Sequence, residues 1–303
     1  MISPNKVFLF DAKMIIFALE KGLKTMKNDS VKRIFPDVWD VVVMVVLFFV
    51  AQLIGGLVLV FTGLSTPTVS SLESVNAEQF MNEQIALANY NALVYPLLMA
   101  LALAAVWCYV RLRGGRKAVV IRHAVGGLNP SVILVGIVWL FAAQIVLEPL
   151  LAWLPPSDSS EIGRGVWAWV TVMVSAPVLE ELLCRGLLYE TMRRRWNVAL
   201  SIAVSALFFG AIHGDLSTSI VAIVAGTIFS ILYERTSSIF ATIIVHSINN
   251  ALAYALMCFG LGDATFRYML GGGVVYYVVY AVAVVIFVAA SVEAYFKLSK
   301  LKK

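Results

Sequence analysis

Long apolar stretches alternate with short polar segments from about residue 40 towards the C-terminal end of the chain. A helix that spans a bilayer needs roughly 20 mainly apolar residues. The pattern predicts eight such helices, near 40–63, 91–110, 131–153, 166–190, 197–213, 217–233, 238–260 and 272–296. We therefore expect an all-α, polytopic membrane protein with about eight transmembrane helices.

Composition supports this class, since 61% of the 303 residues are hydrophobic and only 14% are charged. A soluble domain is nearer half apolar and a quarter charged. The net charge of +5 would suit a nucleic-acid partner, but 20 of the 23 lysines and arginines fall on one side of the predicted membrane. Two fall on the other side, and Arg185 lies within a predicted span. Because basic loops stay in the cytoplasm, we expect both termini there, a lipid bilayer as the partner, and no nucleic acid.

The chain divides into a cytoplasmic N-terminal segment (1–38), a transmembrane helical domain (39–297) and a basic cytoplasmic tail (298–303). Within the first segment, residues 5–33 mix apolar residues with lysines. Such a mixture is typical of an amphipathic helix lying in the membrane interface. A plain solvated tail accounts for it equally well. No removable signal peptide is expected, because no short apolar core precedes a small-residue cleavage site.

Ionisable residues inside membrane spans are rare, and each is a functional candidate. The predicted spans contain six of them, with two neighbouring amides, at Glu148, Glu180, Glu181, Arg185, His213, His246, Asn249 and Asn250. Glu148, late in the third span, we interpret as an interfacial residue or a helix-packing contact. The others concentrate in the fourth, fifth and seventh spans.

The fourth span contains the sequence SAPVLEELLCRG at 175–186. Proline lacks an N–H and suits the first residue of a helix. The pattern therefore predicts that the span breaks near Ser175–Ala176 and that a second half-helix starts at Pro177. Glu180 and Glu181 would then lie near its positive N-terminal end. Irregular backbone at membrane depth must line protein or water, which indicates a hydrated cavity.

Spacing separates the two glutamates. Glu181 and Arg185 are at i and i+4 and can pair on one helix face. Glu180 is rotated from Glu181 by about 100° and points elsewhere. The glutamate without a local partner is the candidate general base, because a buried carboxylate accepts a proton more readily than an exposed one. The alternative interpretation of the pair is a structural Glu–Arg clamp between helices.

Two further pairs are at i, i+4 spacing: Phe209 with His213, and His246 with Asn250. Asn249 is rotated away from His246. Taken alone, His213 is more often an interfacial residue, and His246 with Asn250 can form simple interhelical hydrogen bonds. Two carboxylates, an arginine, two histidines and an aligned asparagine together favour a functional site within the helix bundle.

Depth raises a difficulty for this grouping. Counting along ideal helices, Glu180, His246 and Asn250 lie about 12–18 Å from the cytoplasmic ends of their spans, and His213 about 24 Å. The count therefore predicts His213 nearer the opposite side of the membrane. Tilt, a deeper start of the fifth span or a break at Pro177 would reconcile the positions.

The three stretches, in this order, resemble the signature of the CPBP family of intramembrane proteases, over residues 166–255. That family includes the type II CAAX prenyl-protein endopeptidases and bacterial enzymes linked to bacteriocin handling. Its motifs EExxxR, FxxxH and HxxxN correspond here to Glu180-Glu181-…-Arg185, Phe209-…-His213 and His246-…-Asn250. The chain departs from the family at Cys184, where an aromatic residue is common.

The resemblance implies a glutamic-type endopeptidase that needs no cofactor. Glu180 would be the general base for a water molecule, assisted by His213, and His246 and Asn250 would donate hydrogen bonds to the oxyanion. Three supporting residues, Glu181, Arg185 and Phe209, would shape the site. The implied substrate is a membrane-associated peptide or protein, prenylated or not. We expect the bacterial cytoplasmic membrane as the location, or the endoplasmic reticulum in a eukaryotic host.

Two other interpretations stay open. The same histidines and a carboxylate could hold catalytic zinc with a water in the open position, although HExxH is absent from the sequence. Alternatively, the protein is not an enzyme, and is instead a membrane scaffold, an immunity factor, or a transporter with a proton relay.

Overall fold

The structure is a computed structural model of the chain. It describes residues 35–70, 74–115, 117–125, 128–155, 162–262 and 264–300. The amphipathic helix predicted for 5–33 therefore lies outside the described residues. So does the end of the basic tail, at 301–303.

The described residues form helices joined by short connections and contain no strand, apart from one isolated bridge between His123 and Ser238. The helices are α1 (Val38–Phe61), α2 (Ala77–Gly114), α3 (Pro130–Leu151), α4 (Val166–Arg193), α5 (Val198–Ala211), α6 (Leu216–Thr236), α7 (Ile239–Cys258), α8 (Phe266–Met269) and α9 (Val274–Lys300). Among the described residues, seven of these helices are long and apolar enough to cross a bilayer. The prediction of an all-α, multi-pass integral membrane protein is confirmed.

The fifth predicted span is the exception in length. α5 has 14 residues, Val198–Ala211, and measures about 21 Å, which is less than the roughly 30 Å of a hydrocarbon core. Its end is set locally, because Gly214 adopts a positive φ of 80° and Asp215 then caps α6 by accepting a hydrogen bond from the Thr218 N–H at 2.8 Å. Within the described residues, the eight predicted spans therefore correspond to seven helices of spanning length and one shorter apolar helix, α5.

α2 begins earlier than the predicted 91–110, because Asn76 caps it by accepting from the Gln79 N–H at 2.8 Å. The polar segment before residue 91 is helical because another segment packs against it. A Cβ atom on Gly163 would lie 2.7 Å from the Gln84 carbonyl oxygen, and the Arg164 N–H donates to that oxygen at 3.2 Å. The close approach of a glycine backbone therefore fixes the start of α4 against α2.

α4 does not break at Pro177, and this prediction was wrong. Ser175 has helical φ and ψ of −64° and −48° and makes no cap. The helix instead widens into π-helical turns at Thr171–Ser175 and Leu182–Tyr189, before and after the two glutamates. A change to i→i+5 hydrogen bonding accommodates the missing N–H and the ring of a proline inside a membrane helix.

α4 lies at the centre of the bundle and packs against α2, α5, α6 and α7. Around it, α1 packs on α2, α5 on α6, and α3 on α9. Large apolar side chains on α1 and α9 are exposed, as expected where helices face lipid. The polar side chains of α4 are thereby enclosed by other helices, and its π-helical turns are of a kind found frequently at functional sites.

Candidate functional site

Glu181 and Arg185 form the predicted i, i+4 ion pair. Arg185 Nη1 donates to Glu181 Oε1 at 2.8 Å, and both side chains are fully buried. The same guanidinium donates through Nη2 to the Gly226 carbonyl oxygen at 2.9 Å. It lies 4.6 Å from the ring centre of Phe209 and 5.2 Å from that of Phe229. Pairing, a hydrogen bond and two aromatic rings offset part of the cost of burying these charges. Glu181 Oε2 and Arg185 Nε make no hydrogen bond within the described residues.

His246 lies between the two adjacent glutamates. Its Nδ1 donates to Glu181 Oε1 at 3.2 Å, and its Nε2 is 3.8 Å from Glu180 Oε2. The ring stacks on Phe229 with centroids 5.0 Å apart and meets Phe209 edge-on at 5.5 Å. Two rings and a carboxylate thus fix the orientation of the imidazole, with Nε2 turned towards Glu180.

Glu180 is buried and has a partner that the sequence did not reveal. The Tyr95 hydroxyl, on α2, donates to Glu180 Oε1 at 2.5 Å. Glu180 Oε2 makes no hydrogen bond within the described residues. In the sequence, the only sign of Tyr95 is that it is a tyrosine within a long apolar stretch. That sign does not identify a partner 85 positions away.

His213 joins the cluster through Phe209. It lies two residues beyond the end of α5, and its Nδ1 donates to the Phe209 carbonyl oxygen at 2.7 Å. The two rings are 4.8 Å apart, and Phe209 also contacts His246. His213 is therefore connected to the cluster, although the helix count placed it nearer the opposite side of the membrane. No hydrogen bond or ion pair among the described residues joins it directly to Glu180.

Asn250 contacts α4 through its side-chain amide. One N–H donates to the Val172 carbonyl oxygen at 3.1 Å, inside the first π-helical segment. Its own oxygen accepts from Asn249 at 3.2 Å, and Asn249 accepts from Gln144 on α3 at 2.6 Å. As predicted, His246 and Asn250 both face α4, whereas Asn249 is turned towards α3.

An ion-pair network fixes the end of α4 beyond the motif residues. Arg122, in the loop before α3, pairs with Glu190 of α4 and, at 2.8 Å, with Glu234 of α6. Arg193 pairs with the same Glu234 at 2.9 Å. Burial opposes the charge of Arg122, but the carboxylates of Glu190 and Glu234 outweigh it, so the pKa of Arg122 lies above its usual value. The network holds α4 against α6 where α4 ends.

Glu148 is a helix-packing contact, one of the two roles expected for it. It is buried, and its Oε1 accepts from the backbone N–H of Arg267 at 2.9 Å. Its Oε2 makes no hydrogen bond within the described residues.

Two other features of the structure bear on the chemistry. Among the described residues, no three or more His, Cys, Asp or Glu side chains are grouped so that they could hold a metal ion. An apolar groove of about 690 Å³ lies between the start of α4 and the end of α7, with Trp169, Met173 and Tyr254 among its lining residues. None of the motif side chains lines it, so we locate the candidate chemistry at the polar cluster instead.

The polar cluster lies in the part of the chain that is similar to known proteins. Residues 162–252 match the family model described as type II CAAX prenyl endopeptidase Rce1-like, and all three motifs lie within that segment. Over this segment, which is less than a third of the chain, the protein is similar to that family of CAAX prenyl endopeptidases. Its match to a curated relative, the Bacillus subtilis (strain 168) protein named "Putative membrane peptidase YdiL", is 29% identical over 77 residues.

That alignment covers 25% of this chain and 32% of the relative, so the chain spans about a third of the length of the curated relative it matches. No solved structure matches the chain significantly. The matched segment, 162–252, contains Glu180, Glu181, Arg185 and both motif histidines, whereas Tyr95 lies outside it.

Proposed function

We propose that this protein is a membrane endopeptidase that hydrolyses a peptide bond of a membrane-associated peptide or protein. The observation that carries the proposal is the state of Glu180. Its Oε2 is buried, makes no hydrogen bond within the described residues, and lies 3.8 Å from Nε2 of His246. A buried carboxylate with one uncommitted oxygen beside an oriented imidazole is suited to accept a proton from water.

In the proposed reaction, Glu180 Oε2 takes a proton from a water molecule as the water oxygen attacks the peptide carbonyl carbon. The carbonyl oxygen becomes a tetrahedral oxyanion. When the C–N bond breaks, Glu180 returns the proton to the leaving amine nitrogen. The products are an amine and a carboxylic acid, which then releases its proton to solvent, and Glu180 ends in its starting state.

Donors near Glu180 would stabilise the oxyanion. Glu181, itself paired with Arg185, accepts from Nδ1 of His246, so Nε2 is directed towards the site. Nε2 donates to the oxyanion in the doubly protonated form of the ring, which we assign to His246 in the reaction. The side-chain amide of Asn250 has two N–H donors, and Val172 accepts from one of them. We assign the other to the oxyanion.

His213 we assign to the water molecule. Since its Nδ1 donates to the Phe209 carbonyl oxygen, the neutral ring presents Nε2 as a proton acceptor. A hydrogen bond from water to Nε2 would assist Glu180 in positioning the attacking oxygen. The arrangement calls for no cofactor; a zinc-dependent reaction using the same histidines and a carboxylate is the alternative to be tested.

The family description concerns CAAX prenyl endopeptidases, so the first probe for this chain is a quenched-fluorescent peptide ending in a prenylated CAAX sequence, with its unprenylated form as control. The second probe is a detergent extract of membrane proteins, analysed by mass spectrometry for new N-termini. We expect cleavage products with the wild-type protein that are lost with Glu180→Gln. Equal amounts of product from the wild type and from Glu180→Gln would refute the proposal. If the wild type cleaves proteins in the extract but not the prenylated peptide, that peptide is excluded as a substrate.

A further inference from the structure

Tyr95 of α2 makes a hydrogen bond that distinguishes the two oxygens of Glu180. The hydroxyl donates to Oε1 at 2.5 Å, while Oε2 makes no hydrogen bond within the described residues. Hydrogen bonds to an ionised acceptor are short and roughly twice as strong as those between neutral groups. The bond therefore commits one oxygen and leaves the other for chemistry.

A glutamate needs such a constraint, because the last torsion of its side chain is broad and does not by itself fix the plane of the carboxylate. Along its own helix Glu180 has no ion pair comparable to that of Glu181 with Arg185. With Oε1 held by Tyr95, Oε2 is directed towards Nε2 of His246. The carboxylate plane is thus set from α2 rather than from α4.

The position of Tyr95 is itself fixed by packing. Its ring is partly buried against the main hydrophobic core. α2 also runs along α4 through both π-helical segments. This packing limits movement of the hydroxyl relative to Glu180.

We propose that Tyr95 is a positioning residue for peptide hydrolysis: its hydroxyl holds Oε1 of Glu180 so that Oε2 faces His246 and takes the proton of water. The inference rests on the proposed function, since it assigns to Tyr95 the orientation of the base in that reaction. A purely structural tyrosine would stabilise the helix pair without affecting turnover.

The chain offers a matched control for that distinction. Tyr109, on the same helix, donates its hydroxyl to Asp40 Oδ1 at 2.6 Å, and Asp40 also pairs with Arg113 at 3.0 Å. Tyr109→Phe and Tyr95→Phe each remove one hydroxyl–carboxylate hydrogen bond from α2. Only the second removes it from the proposed base.

The experiment measures kcat and KM of purified wild type, Tyr95→Phe, Tyr109→Phe and Glu180→Gln on one peptide that the wild type cleaves, normalised to folded protein from size-exclusion chromatography. We expect Tyr95→Phe to lower kcat by about 10- to 100-fold with KM within about twofold, since small misplacement of a catalytic group has effects of this size. Tyr109→Phe should keep both values.

Three results would overturn the inference: a wild-type kcat in Tyr95→Phe, an equal loss in Tyr109→Phe, or a change confined to KM. If Glu180→Gln cleaves as well as wild type, the proposed function fails and the role of Tyr95 fails with it. If Glu180→Gln is inactive while Tyr95→Phe is unchanged, only the inference about Tyr95 fails.

Discussion

The guanidinium of Arg185 lies 4.6 Å from the ring centre of Phe209, and both side chains are buried at the centre of the bundle. Phe209 also meets the rings of His213 and His246. One aromatic side chain thus connects the arginine of the first motif to the histidines of the other two. The FxxxH phenylalanine is part of the site because it packs against all three.

Replacing Arg185 by leucine should strongly destabilise the protein. The change leaves the Glu181 carboxylate buried without its cation, and breaking a buried pair in this way costs about 3–5 kcal/mol. We expect a lower unfolding midpoint in detergent. The exposed Arg195→Leu variant is the control and should unfold like wild type.

A double variant tests the reason for that loss. Removing both charges with Glu181→Gln and Arg185→Leu should restore part of the stability, since no unpaired charge then remains. Equal unfolding midpoints for Arg185→Leu and Arg195→Leu would contradict the account of this pair.

Gly226 allows the close approach of α6 to the arginine. A Cβ atom there would lie 3.1 Å from Phe209 Cδ1, 3.2 Å from Ala206 Cα and 3.3 Å from Arg185 Nη2. Gly226→Ala should therefore lower the free energy of unfolding by about 1–3 kcal/mol through overpacking. Gly56→Ala is the control, because nothing lies within 4 Å of its Cβ position. Similar effects of the two changes would show that packing at Gly226 is not tight.

The sequence predicts the elements of this site better than their contacts. Apolar length identifies the long helices, and i, i+4 spacing correctly pairs Glu181 with Arg185 and Phe209 with His213. These successes concern residues four positions apart, within α4 in the first case and at the end of α5 in the second, where the local helical geometry of 3.6 residues per turn sets which side chains meet.

Contacts between helices depend on packing that one chain's pattern does not encode. The hydrogen bond from Tyr95 to Glu180 joins α2 to α4, and that from Asn250 to Val172 joins α7 to α4. The unbroken helix at Pro177 likewise follows from π-helical turns that residue propensities do not specify. The orientation of the termini stays a prediction from the distribution of basic residues.

Metal dependence separates the two enzymatic mechanisms. We expect purified protein to keep its peptidase activity after treatment with EDTA or 1,10-phenanthroline, because the proposed base is a carboxylate and not a metal-bound water. Metal analysis of the same samples is the accompanying measurement. Activity that falls in proportion to removed zinc, and returns on adding it, would establish the zinc mechanism instead.

The central claim, that Glu180 is the general base, is tested most directly by comparing Glu180→Gln with Glu148→Gln. Both glutamates are buried in membrane helices, and each has one oxygen without a hydrogen bond in the described residues. Glu148 instead accepts from the Arg267 N–H, and no hydrogen bond or ion pair among the described residues joins it to a motif side chain. In purified protein with the same peptide substrate, we predict that Glu180→Gln lowers kcat by about 10²–10⁴-fold, the usual contribution of general base catalysis. Glu148→Gln should leave kcat within a fewfold of wild type; equal values for the two variants would contradict the account.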